Sequence, residues 1–143
     1  PPGTGDAQLT LSQQAPLTGA IVVTTPQDVA LIDARKGVKM FNEVRVPVLG
    51  VVENMSYLVA ADGSHLSIFG KGGGQKLAAE AGVSVLGELP IDPRVAECGD
   101  AGEPIVRRYP DSDVAKAYLA LAQTVVNEML RRPTGDGLPA VEL

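Results

Sequence analysis

Three short runs, GAIVVT at 19–24, VPVLGVVE at 46–53 and VSVLGE at 83–88, are apolar nearly throughout and rich in β-branched residues. A strand with one wet face alternates apolar and polar side chains. A run without alternation suits a strand covered on both faces, as in a parallel sheet. The stretches between the runs carry helix punctuation. Thr25-Pro26-Gln27-Asp28 reads as a helix start, with Thr25 as N-cap, Pro26 at the first helical position and an acid three residues after the cap. Ala30, Ala34, Val38 and Phe41 then share one face. Gly74 to Ala81 reads as a shorter helix, with Gly82 placed to take the left-handed conformation beyond its end. Asp111 or Ser112 caps a last helix, in which Val114, Tyr118, Leu121, Val125 and Met129 recur at helical spacing. Strand, helix, strand, helix, strand predicts an α/β fold with right-handed crossovers and a parallel sheet flanked by helices. The shared V-x-V-L-G pattern of two runs is common strand chemistry, not a repeat. Pro104–Arg107 is expected to be extended, and PTGDGLPAVEL at 133–143 to be a disordered tail.

Composition narrows the partners. Hydrophobic residues make up 45% and charged residues 20% of 143 positions, which suffices for one core and suits a soluble chain. Two Phe, three Tyr and no Trp leave little for a stacking platform on single-stranded nucleic acid. A net charge of −5 offers no electrostatic footprint for DNA or anionic lipid. No apolar run approaches the length of a membrane span, and nothing resembles a signal peptide. The expectation is a cytoplasmic domain with no nucleic-acid and no membrane partner. Cys98 is the single cysteine, so no internal disulfide can form. His65 has no second His or Cys at ligand spacing and reads as a surface-loop residue.

Ligands of parallel sheets gather beyond the carboxyl ends of the strands. That directs attention to Thr24–Asp28, Glu53–Gly74 and Glu88–Glu103. Asn54 follows a buried run, where its side-chain amide offers a donor and an acceptor, although an asparagine there can equally turn the chain. Pro90-Ile91-Asp92-Pro93 follows the next run and is backbone-rigid. It also reads as a helix start, with Asp92 as cap and Pro93 at the first position. Gly3 and Gly5 permit close approach to a ligand, but Pro and Gly also cluster in plain surface turns. Gly72-Gly73-Gly74 invites a phosphate-site reading. No G-x-x-x-x-G-K-[ST] loop occurs in the chain, because no Ser or Thr follows Lys71 and the spacing differs.

Five segments occur in one order: PPGTGDAQLTLSQ, VTTPQDVALIDARKG, VLGVVENMSY, IFGKGGGQKLA and LGELPIDPRV. Together, from Pro1 to about Arg132, they resemble the Mrp (ApbC) family of P-loop ATPases, iron–sulfur cluster carriers related to MinD and ParA. The resemblance implies the C-terminal part, residues 1–132, of a P-loop NTPase-type domain. The phosphate-binding loop and the aspartate that helps hold Mg2+ would precede Pro1. A complete doubly wound sheet usually has five or more strands, against three secure runs here, which agrees with that expectation. The resemblance further implies that the Gly3 amide senses the γ-phosphate and that Asn54 meets the adenine edge of ATP. Pro90, Ile91 and Asp92 would lie around the base. Asp6 is read as a helix cap, no catalytic residue is assigned, and Gly72–Gly74 is expected to be a flexible lead-in to its helix.

One departure from the family pattern concerns the cargo. Many members carry C-P-x-C shortly after E-N-M-S-Y, and two subunits share those thiolates to hold one [4Fe–4S] cluster. The four positions here are Ala60, Ala61, Asp62 and Gly63, so both cysteines are absent, and no metal ligand is assigned. Cys98 is expected to be buried or in a loop. Whole family members would bind ATP as homodimers and deliver clusters to apoproteins. Alternatives are a non-catalytic nucleotide-binding or interaction module, and a MinD- or ParA-like positioning ATPase. The last is disfavoured because no Lys or Arg follows Arg132.

Overall fold

A computed structural model describes residues 17–131 together with Thr10 and Gln14. Gly3, Gly5, Asp6 and the expected tail at 133–143 lie outside the described residues. Three parallel strands form the sheet: β1 (Ala20–Thr24), β2 (Val48–Val59) and β4 (Val85–Ile91), with β2 between the other two. A two-residue strand, β3 (His65–Leu66), runs antiparallel to the far end of β2. The helices are α1 (Asp28–Glu43), α2 (Gly73–Ala81), α3 (Pro93–Asp100), α4 (Ile105–Arg108) and α5 (Asp113–Arg131). The parallel sheet flanked by helices is the predicted fold class.

The apolar runs are two-sided because both faces are covered. On one face Val22, Val48 and Val51 pack with Leu31 and Ala34 of α1 and Leu77 and Ala78 of α2. On the other, Val52, Leu86 and Leu89 meet Tyr118, Leu121 and Val125 of α5. Met129, expected on the same face, is 39% exposed. A smaller cluster of Cys98, Ile105 and Val114 seats α3 and α4 against α5.

Local chemistry sets several boundaries differently from the sequence reading. Helix α1 starts at Asp28 with Gln27 as an extended N-cap lacking a side-chain bond, not at Pro26 behind Thr25. The threonine hydroxyls are engaged elsewhere: Thr24 Oγ1 donates to the Thr25 carbonyl at 3.0 Å, and Thr25 Oγ1 to Gln27 Oε1 at 3.3 Å. Pro104–Arg107 is not extended. Pro104 precedes a helical turn, and its carbonyl accepts from Arg107 and Arg108 N–H at 2.9 and 3.1 Å. Ser112 caps α5, its Oγ accepting from Ala115 N–H at 3.3 Å and donating to the Tyr109 carbonyl at 2.7 Å. Gly82 takes the left-handed conformation expected after α2, with φ of 67°.

Candidate functional site

Three loops meet at the carboxyl end of the sheet. They are Thr24–Gln27 after β1, the stretch after Glu53 on β2, and Gly72–Gly74 at the start of α2. Asn54 does not end a strand, because β2 continues to Val59. The ladder is interrupted instead. Glu53 pairs with Glu88 and Tyr57 with Pro90, so β2 advances four residues where β4 advances two. The surplus forms a bulge carrying Asn54, Met55 and Ser56, a device that re-aims side chains beside binding sites. Met55 takes φ of 55°, uncommon for a residue with a Cβ and typical of a constrained site. Asn54 is half-buried, and its Oδ1 accepts from Met55 N–H at 3.0 Å. It lines an open cleft of about 570 Å³ along β1 and α1, with Thr24, Thr25, Ala30 and Asp33 among the other walls.

The other expected base-site residues lie on the neighbouring strand and at the helix cap that follows it. Pro90 and Ile91 belong to β4, not to a loop, and pair with Tyr57 and Leu58. With Asp92 they border a separate cavity of about 290 Å³, beside Leu58, Arg94 and Asp113. The register nevertheless sets the Asn54 bulge opposite the stretch from Glu88 to Pro90. Asp92 caps α3, its Oδ1 accepting from Arg94 N–H at 2.9 Å, with Pro93 at the start of the helix. The Arg94 guanidinium bonds the same carboxylate through Nε at 3.0 Å and Nη2 at 2.6 Å and lies 5.3 Å from the Tyr109 ring centre. These bonds hold the Asp92 carboxyl below the usual carboxylate range.

The sequence reading missed Glu53. It is 2% exposed, and its two oxygens accept from Ser56 Oγ at 2.6 Å and Gly74 N–H at 2.5 Å. The available signal was an acid closing an otherwise apolar run, with Ser56 three residues on and glycines opening the next helix. Those glycines are not a flexible lead-in. Gly73 and Gly74 are buried, and a Cβ would fall 2.5 Å from the Pro26 carbonyl oxygen and 2.8 Å from Glu53 Cβ, respectively. The Gly74 amide, which a phosphate would seek at a helix start, is engaged by the chain's own carboxylate.

A third cavity, of about 360 Å³, opens below the hairpin between Ser56, Tyr57, His65, Lys71, Gln75 and Glu88. His65 stands in β3, exposed as expected but not in a loop, and stacks on Tyr57 with ring centres 4.1 Å apart. Burial, with Glu88 and Asp113 nearby, pushes the Tyr57 hydroxyl above its ordinary range, so it stays protonated near neutrality. Ala60 and Gly63 close the hairpin turn, where Gly63 N–H donates to the Ala60 carbonyl at 2.9 Å and Gly63 takes φ of 81°. Asp62 Oδ1 holds Ser64 through its N–H at 2.9 Å and its hydroxyl at 2.6 Å. Cys98 is 1% exposed. Among the described residues no group of three or more His, Cys, Asp or Glu could hold a metal ion. For Mg2+, the buried carboxylate at the strand ends, Glu53, is engaged by Ser56 and Gly74, so these residues do not fit that ion. No described helix is long and apolar enough to cross a membrane.

Residues 1–126 match the family described as ParA, NUBPL iron-transfer P-loop NTPase. An iron–sulfur cluster carrier protein of Aquifex aeolicus is 57% identical over 126 residues, covering 87% of this chain and 35% of the relative. The mouse iron–sulfur cluster transfer protein NUBPL is 48% identical, covering 93% of this chain and 42% of the relative. The chain thus spans well under half the length of these relatives. Among solved structures, a nucleotide-binding protein from Archaeoglobus fulgidus in complex with ADP superposes with a TM-score of 0.61 at 38% identity, covering 71% of this chain and 42% of that one. The cell division ATPase MinD of Pyrococcus furiosus gives 0.60 at 25% identity, covering 77% and 43%.

Proposed function

Because the chain belongs to the ParA/NUBPL family of iron-transfer P-loop NTPases, we propose that it forms the base side of an ATP site in an iron–sulfur cluster carrier. One observation carries the reading: a bulge at the carboxyl end of the central strand presents Asn54 to an open cleft. With Oδ1 engaged by Met55, Nδ2 is left to donate to the base, and the second lone pair of Oδ1 can still accept. Such a pair reads the adenine edge. Pro90, Ile91 and Asp92 contribute through β4 and the start of α3, beside Tyr57 and Leu58. Gly3 serves the γ-phosphate in this reading. No P-loop signature occurs among the 143 residues, so in this reading they do not supply the remaining phosphate contacts, the Mg2+ site or the hydrolytic step. ATP-driven homodimers deliver clusters to apoproteins.

The cluster is cargo. Ala60 and Gly63 offer no thiolate in the hairpin turn, and Cys98 is packed in the core. That favours, as a second reading, a chain that senses nucleotide and contacts partners while its cluster is ligated elsewhere. This hairpin offers a cluster no thiolate. The test is a titration of the 15N-labelled chain with ADP, followed by NMR. Fast-exchange shifts centred on the Asn54 side-chain amide are expected, with Asn54→Ala weakening ADP about fivefold, the worth of one hydrogen bond. Unchanged affinity in that variant removes Asn54 from the site.

A further inference from the structure

We infer that Glu53 is a positioning residue for Asn54, so that the base site is aimed from α2 through a buried carboxylate; this rests on the reading of Asn54 as the base-binding residue. The neighbouring positions Val51 and Val52 are buried and apolar, and an apolar side chain at 53 would continue the run. A buried carboxylate costs stability unless its oxygens are paired. Here both are, and the two partners bracket the bulge. Ser56 Oγ, three residues on, closes it at 2.6 Å, and the Gly74 amide ties it to the first turn of α2 at 2.5 Å. Hydrogen bonds to a charged acceptor are the stronger and shorter kind, suited to holding a conformation against strain. The strain is present: Met55 between them sits at φ of 55°. Asn54 Oδ1 then takes the Met55 N–H at 3.0 Å, which locks the asparagine to the bulge rather than to a free strand end. Glycine at 74 is part of the same device, because a Cβ there would meet Glu53 Cβ at 2.8 Å. Glu53 itself, 2% exposed, does not line the Asn54 cleft and acts through Asn54.

The experiment compares ADP with inosine diphosphate, which differs at the base edge alone, by NMR titration of the 143-residue chain. The forms are the unaltered chain, Glu53→Gln, Asn54→Ala and the double variant. Glutamine keeps one acceptor oxygen but turns an amide donor toward the other partner. Loss of the Asn54 contact is expected to lower ADP affinity about fivefold and to erase the preference for ADP over inosine diphosphate. Glu53→Gln is expected to erase the same preference, and the double variant to fall no further than Asn54→Ala, because the two residues act in series. Should Glu53→Gln lose its spectral dispersion, Ser56→Ala and Gly74→Ala disturb the same carboxylate and carry the same comparison. A variant at 53, 56 or 74 that weakens both nucleotides alike, or whose effect multiplies with that of Asn54→Ala, overturns the positioning role. An Asn54→Ala chain that keeps the full ADP preference overturns the base-binding reading, and this inference with it.

Discussion

At the scale of single residues, carboxylates do different work according to what they face. Asp92 is a half-buried cap: its carboxylate bonds the Arg94 amide and guanidinium, and its pKa is lowered, first by the Arg94 side chain. A depressed folded-state pKa means stability that is present above the unfolded carboxylate value, about 3.9, and lost as pH falls through the lower folded value. Asp92→Ala is therefore expected to cost about 1 kcal/mol in urea titration at pH 7, the worth of a helix cap, and progressively less as the medium is taken to strongly acidic pH. Cys98 gives a second test. At 1% exposure, beside Ile105 and Val114, its thiol should resist a disulfide reagent in the folded chain and react only as denaturant opens the protein. Rapid labelling without denaturant would contradict its place in the core.

At the scale of elements, backbone contacts decide more than propensity does. The loop after β1 and the start of α2 touch through Pro26 and Gly73, where a Cβ would meet the Pro26 carbonyl oxygen, carbonyl carbon and Cα within 2.9 Å. Backbone cannot rotate aside as a side chain can. Gly73→Ala is expected to destabilise the chain by about 1–3 kcal/mol in chemical denaturation, whereas Gly99→Ala, with nothing within 4 Å and a helical setting, should be neutral or slightly stabilising. Helices α1 and α2 also share the Arg35–Glu80 ion pair at 2.7 Å, but both side chains are substantially exposed, so water screens the pair and it adds little. The packed glycines thus hold α2 in place more firmly than the charges do. The GGG stretch was visible in the sequence; that its glycines make room for Pro26 and Glu53 was not, since both partners are distant in the chain.

At the scale of the whole molecule, the described sheet has β1 and β4 at its margins, and Val23 of β1 is 58% exposed, with Val29 and Ile32 of α1 at 70% and 53%. Val23 lines the cleft that contains Asn54, so the site as described is open on the β1 side. The chain by itself is expected to show no ATP hydrolysis above a protein-free control, because its sequence carries no G-x-x-x-x-G-K-[ST] signature. Turnover above that control would locate the hydrolytic groups among these residues. The parallel α/β fold, the last helix and its core face to Val125, the Gly82 stop and the Asp92 cap were all legible in the sequence. Each depends on the burial of a periodic stripe or on partners within a few residues. The bulge at Asn54–Ser56 and the Glu53 clamp were decided by tertiary structure alone. They depend on how far one strand must slip past its neighbour, and on an amide 21 positions away that no local pattern announces.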